Sequence, residues 1–199
     1  MKRIPFVPLV ITATILLLLS CRTICAQTSD SEKLGMALEY FQSGKYHEAL
    51  VIFRRLDKQY TLNPRFRAYI GVCYYYEWDY PNATACLDSV IPQLQAFSPQ
   101  ERSFYYYADA ESHFQLKRYE QALPLYQQML ALCRDNEKPD AYYRIGFIHT
   151  FHKEWIEALD NFQNALVYYQ KYRPDQTARI AQIKNMINGC CMEIKQQHK

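Results

Sequence analysis

The chain has 199 residues, 49% of them hydrophobic and 22% charged, enough for one domain with a continuous core or for a short repeat array, and too apolar for a disordered chain. Five glycines against 18 tyrosines exclude a collagen-like, linker-like or glycine-rich phosphate-binding chain. The formal charge of +3 comes from Lys2, Arg3 and Arg22 in the first 26 residues; the rest balances at 20 basic against 20 acidic and gives no electrostatic reason to expect nucleic acid.

Residues 1–26 have the proportions of an export signal: Met1-Lys2-Arg3 is the positive start and Phe6 to Leu19 the apolar run. That run falls short of the roughly 20 apolar residues of a spanning helix. Two processing routes stay open. Cleavage after Ala26 uses a site that ends in a small residue, whereas Leu18-Leu19-Ser20-Cys21 is similar to a bacterial lipobox and makes Cys21 the candidate lipidation site. Either route predicts an exported protein of a bacterial periplasm or cell envelope, touching membrane only through a lipid anchor or a retained N-terminal segment.

Downstream, helical periodicity predicts nine helices, over 31–43, 47–60, 65–77, 81–96, 100–116, 120–134, 139–152, 155–172 and 175–196, with no competing strand pattern. Pro64, Pro81, Pro139 and Pro174 fall at helix starts, where a missing amide hydrogen costs little. Four phrases align within this frame: GKYHEAL at 44–50, WDYPNAT at 78–84, KRYEQAL at 117–123 and KEWIEAL at 153–159. Their alanines, Ala49, Ala83, Ala122 and Ala158, are 34, 39 and 36 residues apart, the self-similarity of a solenoid.

Twelve residues before each alanine stands another small residue, Ala37, Gly71, Ala110 or Gly146, and four after it a large one, Phe53, Leu87, Tyr126 or Phe162. Small residues let two antiparallel helices approach while large ones fill the seam. One such unit cannot bury its own apolar face, so the units must stack. The last predicted helix gathers Ile180, Ile183, Ile187, Cys190, Cys191 and Ile194 mostly on one side and reads as a cap.

On these residues the chain resembles the tetratricopeptide repeat (TPR) family, exported bacterial type, whose 34-residue pattern places Leu-Gly, Tyr, Ala and Phe at these offsets. The resemblance implies an all-α, right-handed α-solenoid of antiparallel helix pairs. Its units cover 30–63, 64–97, 103–136 and 139–172, and a capping helix and tail occupy 174–199. Departures cluster in the third unit: Asp109-Ala110 replaces Leu-Gly, a five-residue insertion around Ser98 to Arg102 predicts a longer loop, and Pro124 predicts a kink or late start in its second helix.

The family implies that the first helix of each unit lines a concave groove. Carried over position by position, the wall is Leu34, Leu38, Phe41 and Gln42 in the first unit and Arg65, Ala68, Val72, Tyr75 and Tyr76 in the second. The third gives Phe104, Tyr107, Glu111, Phe114 and Gln115, and the fourth Asp140, Tyr143, Phe147, Thr150 and Phe151. Many relatives grip a chain-terminal carboxylate with Lys and Asn; Leu34 and Leu38 stand at the corresponding sites of the first unit. The expected occupant is instead an apolar peptide or amphipathic helix of a protein partner. The alternative is a carbohydrate stacked on Tyr75, Tyr107 and Tyr143, against which stands the shortage of polar groups along the wall. Composition alone also accounts for aromatics buried between units.

No catalytic residue, cofactor or metal is assigned. His149 and His152 lie three apart on a predicted helix, but His113 and His149 occupy the slot that Tyr40 and Tyr74 fill elsewhere, and no matching ligand set accompanies them. Phosphate loop, nucleophile elbow and HExxH phrases are all missing. Cys73, Cys86, Cys133, Cys190 and Cys191 show no CxxC spacing and read as small core residues. Asn82-Ala83-Thr84 reads as a chance match to a glycosylation acceptor, because its alanine is a packing residue.

Overall fold

A computed structural model describes residues 29–197, and the expected export signal, the cleavage site at Ala26, the candidate lipidation site Cys21 and the last two residues lie outside the described part. Among the described residues there are nine α-helices and no strand: α1 (Asp30–Gln42), α2 (Tyr46–Tyr60), α3 (Pro64–Tyr76), α4 (Tyr80–Val90), α5 (Pro99–Gln115), α6 (Tyr119–Leu132), α7 (Lys138–Phe151), α8 (Trp155–Tyr172) and α9 (Thr177–Gln197). Packing is densest within the pairs α1/α2, α3/α4, α5/α6 and α7/α8, and α9 lies along α8. Thinner seams join α2 to α3, α4 to α5 and α6 to α7, so the pairs stack in chain order as an α-solenoid. No described helix is long and apolar enough to cross a membrane.

Each helix start has a local cause. Ser29 Oγ accepts from the Glu32 amide at 3.1 Å while the Glu32 carboxylate accepts from the Ser29 amide at 2.7 Å, a reciprocal cap on α1. Asn63, Asp79 and Ser98 accept from the first-turn amides of α3, α4 and α5. Pro64 and Pro99 occupy first helical positions, where no amide hydrogen is needed. Glu48, Glu120 and Glu157 place negative charge in the first turns of α2, α6 and α8.

The turn inside every pair uses one device. Gly44 (φ 75°), Trp78 (φ 60°), Lys117 (φ 58°) and Lys153 (φ 61°) are left-handed, each five residues before its unit's alanine. The following residue then donates back into the preceding helix, as from the Lys45 amide to Tyr40 O at 2.8 Å and the Arg118 amide to His113 O at 2.9 Å. Only Gly44 adopts this conformation without a Cβ penalty. Trp78 does so while 78% exposed.

All eight small residues of the repeat are buried: Ala37, Ala49, Gly71, Ala83, Ala110, Ala122, Gly146 and Ala158. The close approach they permit is explicit at two of them. A Cβ on Gly71 would stand 2.6 Å from Leu87 Cγ, and one on Gly146 would stand 2.7 Å from the Phe162 ring. Around these contacts the core forms three clusters, one centred on Phe53 in the first pair, a large middle one with Leu87, Tyr105 and Tyr126, and a third with Phe162, Tyr169 and Ile183 that α9 closes.

The third unit departs from expectation. The segment expected as a longer loop is the first turn of α5, because Ser98 caps it, Pro99 starts it and Glu101 is held by Arg65 at 2.7 Å. α6 starts on time at Tyr119 and runs through Pro124, whose missing amide removes one bond on an exposed face. α4 ends at Val90 rather than 96, since Pro92 turns the chain into a short 3-10 segment, Ile91–Gln93. α9 begins at Thr177, two residues later than expected, after a turn in which the Thr177 amide donates to Asp175 O.

Candidate functional site

The first helices of the four units, α1, α3, α5 and α7, carry the expected wall residues, and burial sorts them. Leu34, Leu38 and Phe41 are half-buried on the first cluster, and Gln42 is exposed. Ala68 and Val72 are wholly buried, and Tyr143 is only 4% exposed. Val72, Glu111 and Tyr143 are therefore packing residues and offer no free surface, contrary to expectation, because neighbouring helices close over them: Val72 joins the middle cluster, Glu111 is 3% exposed beneath Arg144 and Tyr126, and Tyr143 lies against Phe147 and Phe162 beneath the Arg179 guanidinium. Tyr75, Phe104, Tyr107, Phe114, Asp140, Phe147 and Thr150 are half-buried, while Arg65, Tyr76, Gln115 and Phe151 are exposed.

The rings of this wall are continuous with aromatics at the starts of the second helices. Tyr46 stacks on Tyr76 at 3.9 Å with planes 3° apart, Tyr119 stacks on Phe151 at 4.7 Å, and Tyr80 lies 6.4 Å from Tyr75. Phe41 stacks on Tyr69 at 4.4 Å, and Tyr75 meets Tyr107 edge-on at 6.5 Å across the second junction. Burial first, then the nearby Glu111 charge, pushes the Tyr75 and Tyr107 hydroxyls up, so both stay protonated donors. Burial, then Tyr76, pushes Tyr46 up to about 12. Mapping the wall onto first helices alone missed these second-helix aromatics, although the four aligned phrases place one three residues before each alanine.

The charged groups of the wall are paired with one another. Glu111, only 3% exposed, accepts from Arg144 Nε at 2.8 Å and Nη2 at 2.9 Å and also from the Tyr126 hydroxyl. Burial works against the Arg144 charge, but the hydrogen bonds and attraction of Glu111 outweigh it and hold the guanidinium above its usual range, 4.7 Å from the Phe114 ring centre. Arg65 holds Glu101 at 2.7 and 3.0 Å, and Arg173 holds Asp140 at 2.6 Å. A cavity of about 200 Å³ opens among Tyr76, Phe104, Tyr107, Met129, Asp140 and Arg173. It is smaller than the roughly 300–1,000 Å³ of small-molecule pockets.

His149 and His152, to which no metal was assigned, do not belong to a ligand cluster among the described residues. His149 Nδ1 bonds Glu154 at 2.6 Å, while His152 lies 3.3 Å from Glu120 and 3.8 Å from the same Glu154 oxygen. Instead, at the seam of α4 and α5, Asp88, Asp109 and His113 approach one another. Asp109 is 0% exposed, and both its carboxylate oxygens lack a hydrogen-bond partner. Burial, then the charge of Asp88, pushes its carboxyl up to about 9. All five cysteines described are free; burial pushes Cys73 up to about 12 and Cys86 and Cys133 up to about 11, so these three rest as inert thiols. In Asn82-Ala83-Thr84 the threonine is 2% exposed and the Asn82 amide is bonded to Asp79 at 2.7 Å.

Neither a protein-family model nor a curated protein matches the chain. Solved structures do. MamA MSR-1 superposes with a TM-score of 0.60 at 14% identity over 84% of this chain and 98% of its own. MamA 41-end from Desulfovibrio magneticus RS-1 gives 0.57 at 16% identity over 85% and 97%. The fold is a TPR-like α-solenoid. Identities this low carry the architecture alone, which agrees with the stacked pairs and with the small residues buried in each of them.

Proposed function

We propose that the chain is a non-catalytic scaffold whose aromatic wall holds an apolar segment of a protein partner. The observation that carries this reading is the combination of exposed and half-exposed rings with a wall whose charges are already spent on each other. Tyr76 and Phe151 remain 40% and 51% exposed beside half-buried Phe104 and Tyr107. Aromatic anchors of this kind dominate protein interfaces, and stacking against neighbours has already fixed their rotamers. A cavity of about 200 Å³ suits one partner side chain rather than a metabolite. Glu111–Arg144 and Asp140–Arg173 leave few free polar groups to satisfy a sugar, which weighs against the carbohydrate alternative.

A photo-crosslinking side chain placed at Tyr76 or Phe151 tests this in the native host, with Val51 and Val167, exposed on second helices, as controls. Discrete protein adducts from the wall positions alone are expected; equal labelling from the controls removes the reading. The N-terminal segment supports export, with maturation after Ala26 or at Cys21. The mass of the mature protein decides between the two, and recovery of the folded chain from the cytoplasmic fraction alone overturns export.

A further inference from the structure

Two positions at which one unit departs from the other three meet in space beside a histidine. Position 109 carries an aspartate where the other units have Met36, Ile70 and Ile145, and position 88 carries one where they have Arg54, Gln127 and Gln163. The histidine is His113, which, like His149, fills the slot of Tyr40 and Tyr74. α4 and α5 bring the three together: His113 Nε2 lies 3.3 Å from Asp88 Oδ1 and 3.7 Å from Asp109 Oδ1, and a donor atom of each residue lies within 4.8 Å of the others. Asp109 is the independent sign. A wholly buried carboxyl group with neither oxygen bonded is costly unless it keeps its proton or something positive sits before it, and a protonated group would still leave its acceptor oxygen unmatched.

We propose that Asp88, Asp109 and His113 form a binding site for a divalent first-row transition ion, zinc in the first instance, that ties the second unit to the third. Bonds of about 2.0–2.2 Å to a tetrahedral ion put ligand atoms roughly 3.3–3.6 Å apart, close to the two separations from His113 Nε2, 3.3 and 3.7 Å. The 3.3 Å contact is long for a hydrogen bond, whose usual length is about 2.9–3.0 Å. Two carboxylates and a neutral imidazole supply two negative charges for a dication, and this oxygen and nitrogen set suits zinc or manganese. Asp88, whose side chain is 55% exposed, gives the ion a way in from solvent and water a way to the fourth position. The ligands span the seam between units, so the ion would fix the angle at which the first two units meet the last two.

The test is calorimetric titration of zinc chloride into the chelator-treated full chain, with thermal melts in parallel. One equivalent of zinc is expected, with Tm rising by roughly 5–10 °C when zinc is about 100 times Kd. Asp88→Asn, at an exposed position, keeps the fold and should weaken binding by about tenfold or more. Asp109→Asn should melt no lower than the parent in chelator and lose the zinc-dependent rise. Zinc binding unchanged in Asp88→Asn, as from thiols or from His149 and His152, overturns the proposal, and so does a parent chain whose Tm ignores zinc.

Discussion

Glu111→Gln puts a number on the join between the third and fourth units. The carboxylate is 3% exposed and holds Arg144 through two bonds and Tyr126 through a third, so three elements, α5, α6 and α7, meet on one residue. Breaking a buried ion pair from one side costs about 3–5 kcal/mol, because the surviving charge stays desolvated. The Arg144 side chain is 29% exposed, so water recovers part of that cost and about 2–3 kcal/mol is the expected loss. For a domain of this size that lowers Tm by roughly 5–10 °C, read by far-UV circular dichroism and by the urea midpoint. Removing both charges, as Glu111→Gln with Arg144→Met, should restore most of the stability, since neither member is then left unpaired. A single variant within about 0.5 kcal/mol of the parent, the size of an ordinary surface change, or a double variant as weak as the single one, refutes the idea that this pair is the tie.

Lys117→Gly and Lys153→Gly should each stabilise by about 0.5–1 kcal/mol, since relief of the left-handed strain exceeds the extra backbone entropy of glycine; urea midpoints below the parent's would refute this. Gly146→Ala drives a methyl against the buried Phe162 ring and should cost about 1–3 kcal/mol, measured by the same denaturation; a neutral result would mean that α7 and α8 can part freely. Alkaline pH should weaken the fold through its thiols. Cys73 and Cys86 rise from 9.0 to about 12 and about 11 on folding, so the unfolded chain loses these protons first. Their contribution is full below pH 9 and is lost as pH climbs through the folded values; replacing both by alanine should flatten that part of the stability curve.

The eight small residues were legible in the sequence because each is fixed by how near two helix axes come, a local demand that recurs with every unit. The face of each first helix, by contrast, rested on the family resemblance alone. How far neighbours close over that face was not legible. Val72 and Tyr143 stand at wall positions like those of Tyr76 and Phe151, yet their surface is taken up by the middle cluster and by Phe147, Phe162 and Arg179, contacts that no single unit encodes. The left-handed turns were hidden for another reason: only the first uses glycine, and Trp78, Lys117 and Lys153 give no local signal for that backbone. Asp109 showed as a break in the pattern, but Asp88, a lone acid on another helix, gained meaning only when the seam brought them together.

The left-handed turn at Trp78 carries one of the chain's two indoles, and the other, Trp155, opens α8 two units further on. One is 78% exposed and the other partly covered by the third cluster, so their emission differs in colour and in access to a quencher. In a stack where stability is a sum of neighbour terms, the two fluorophores report opposite halves of the rod. Loosening that starts at either end will be seen by one before the other, without any label being added.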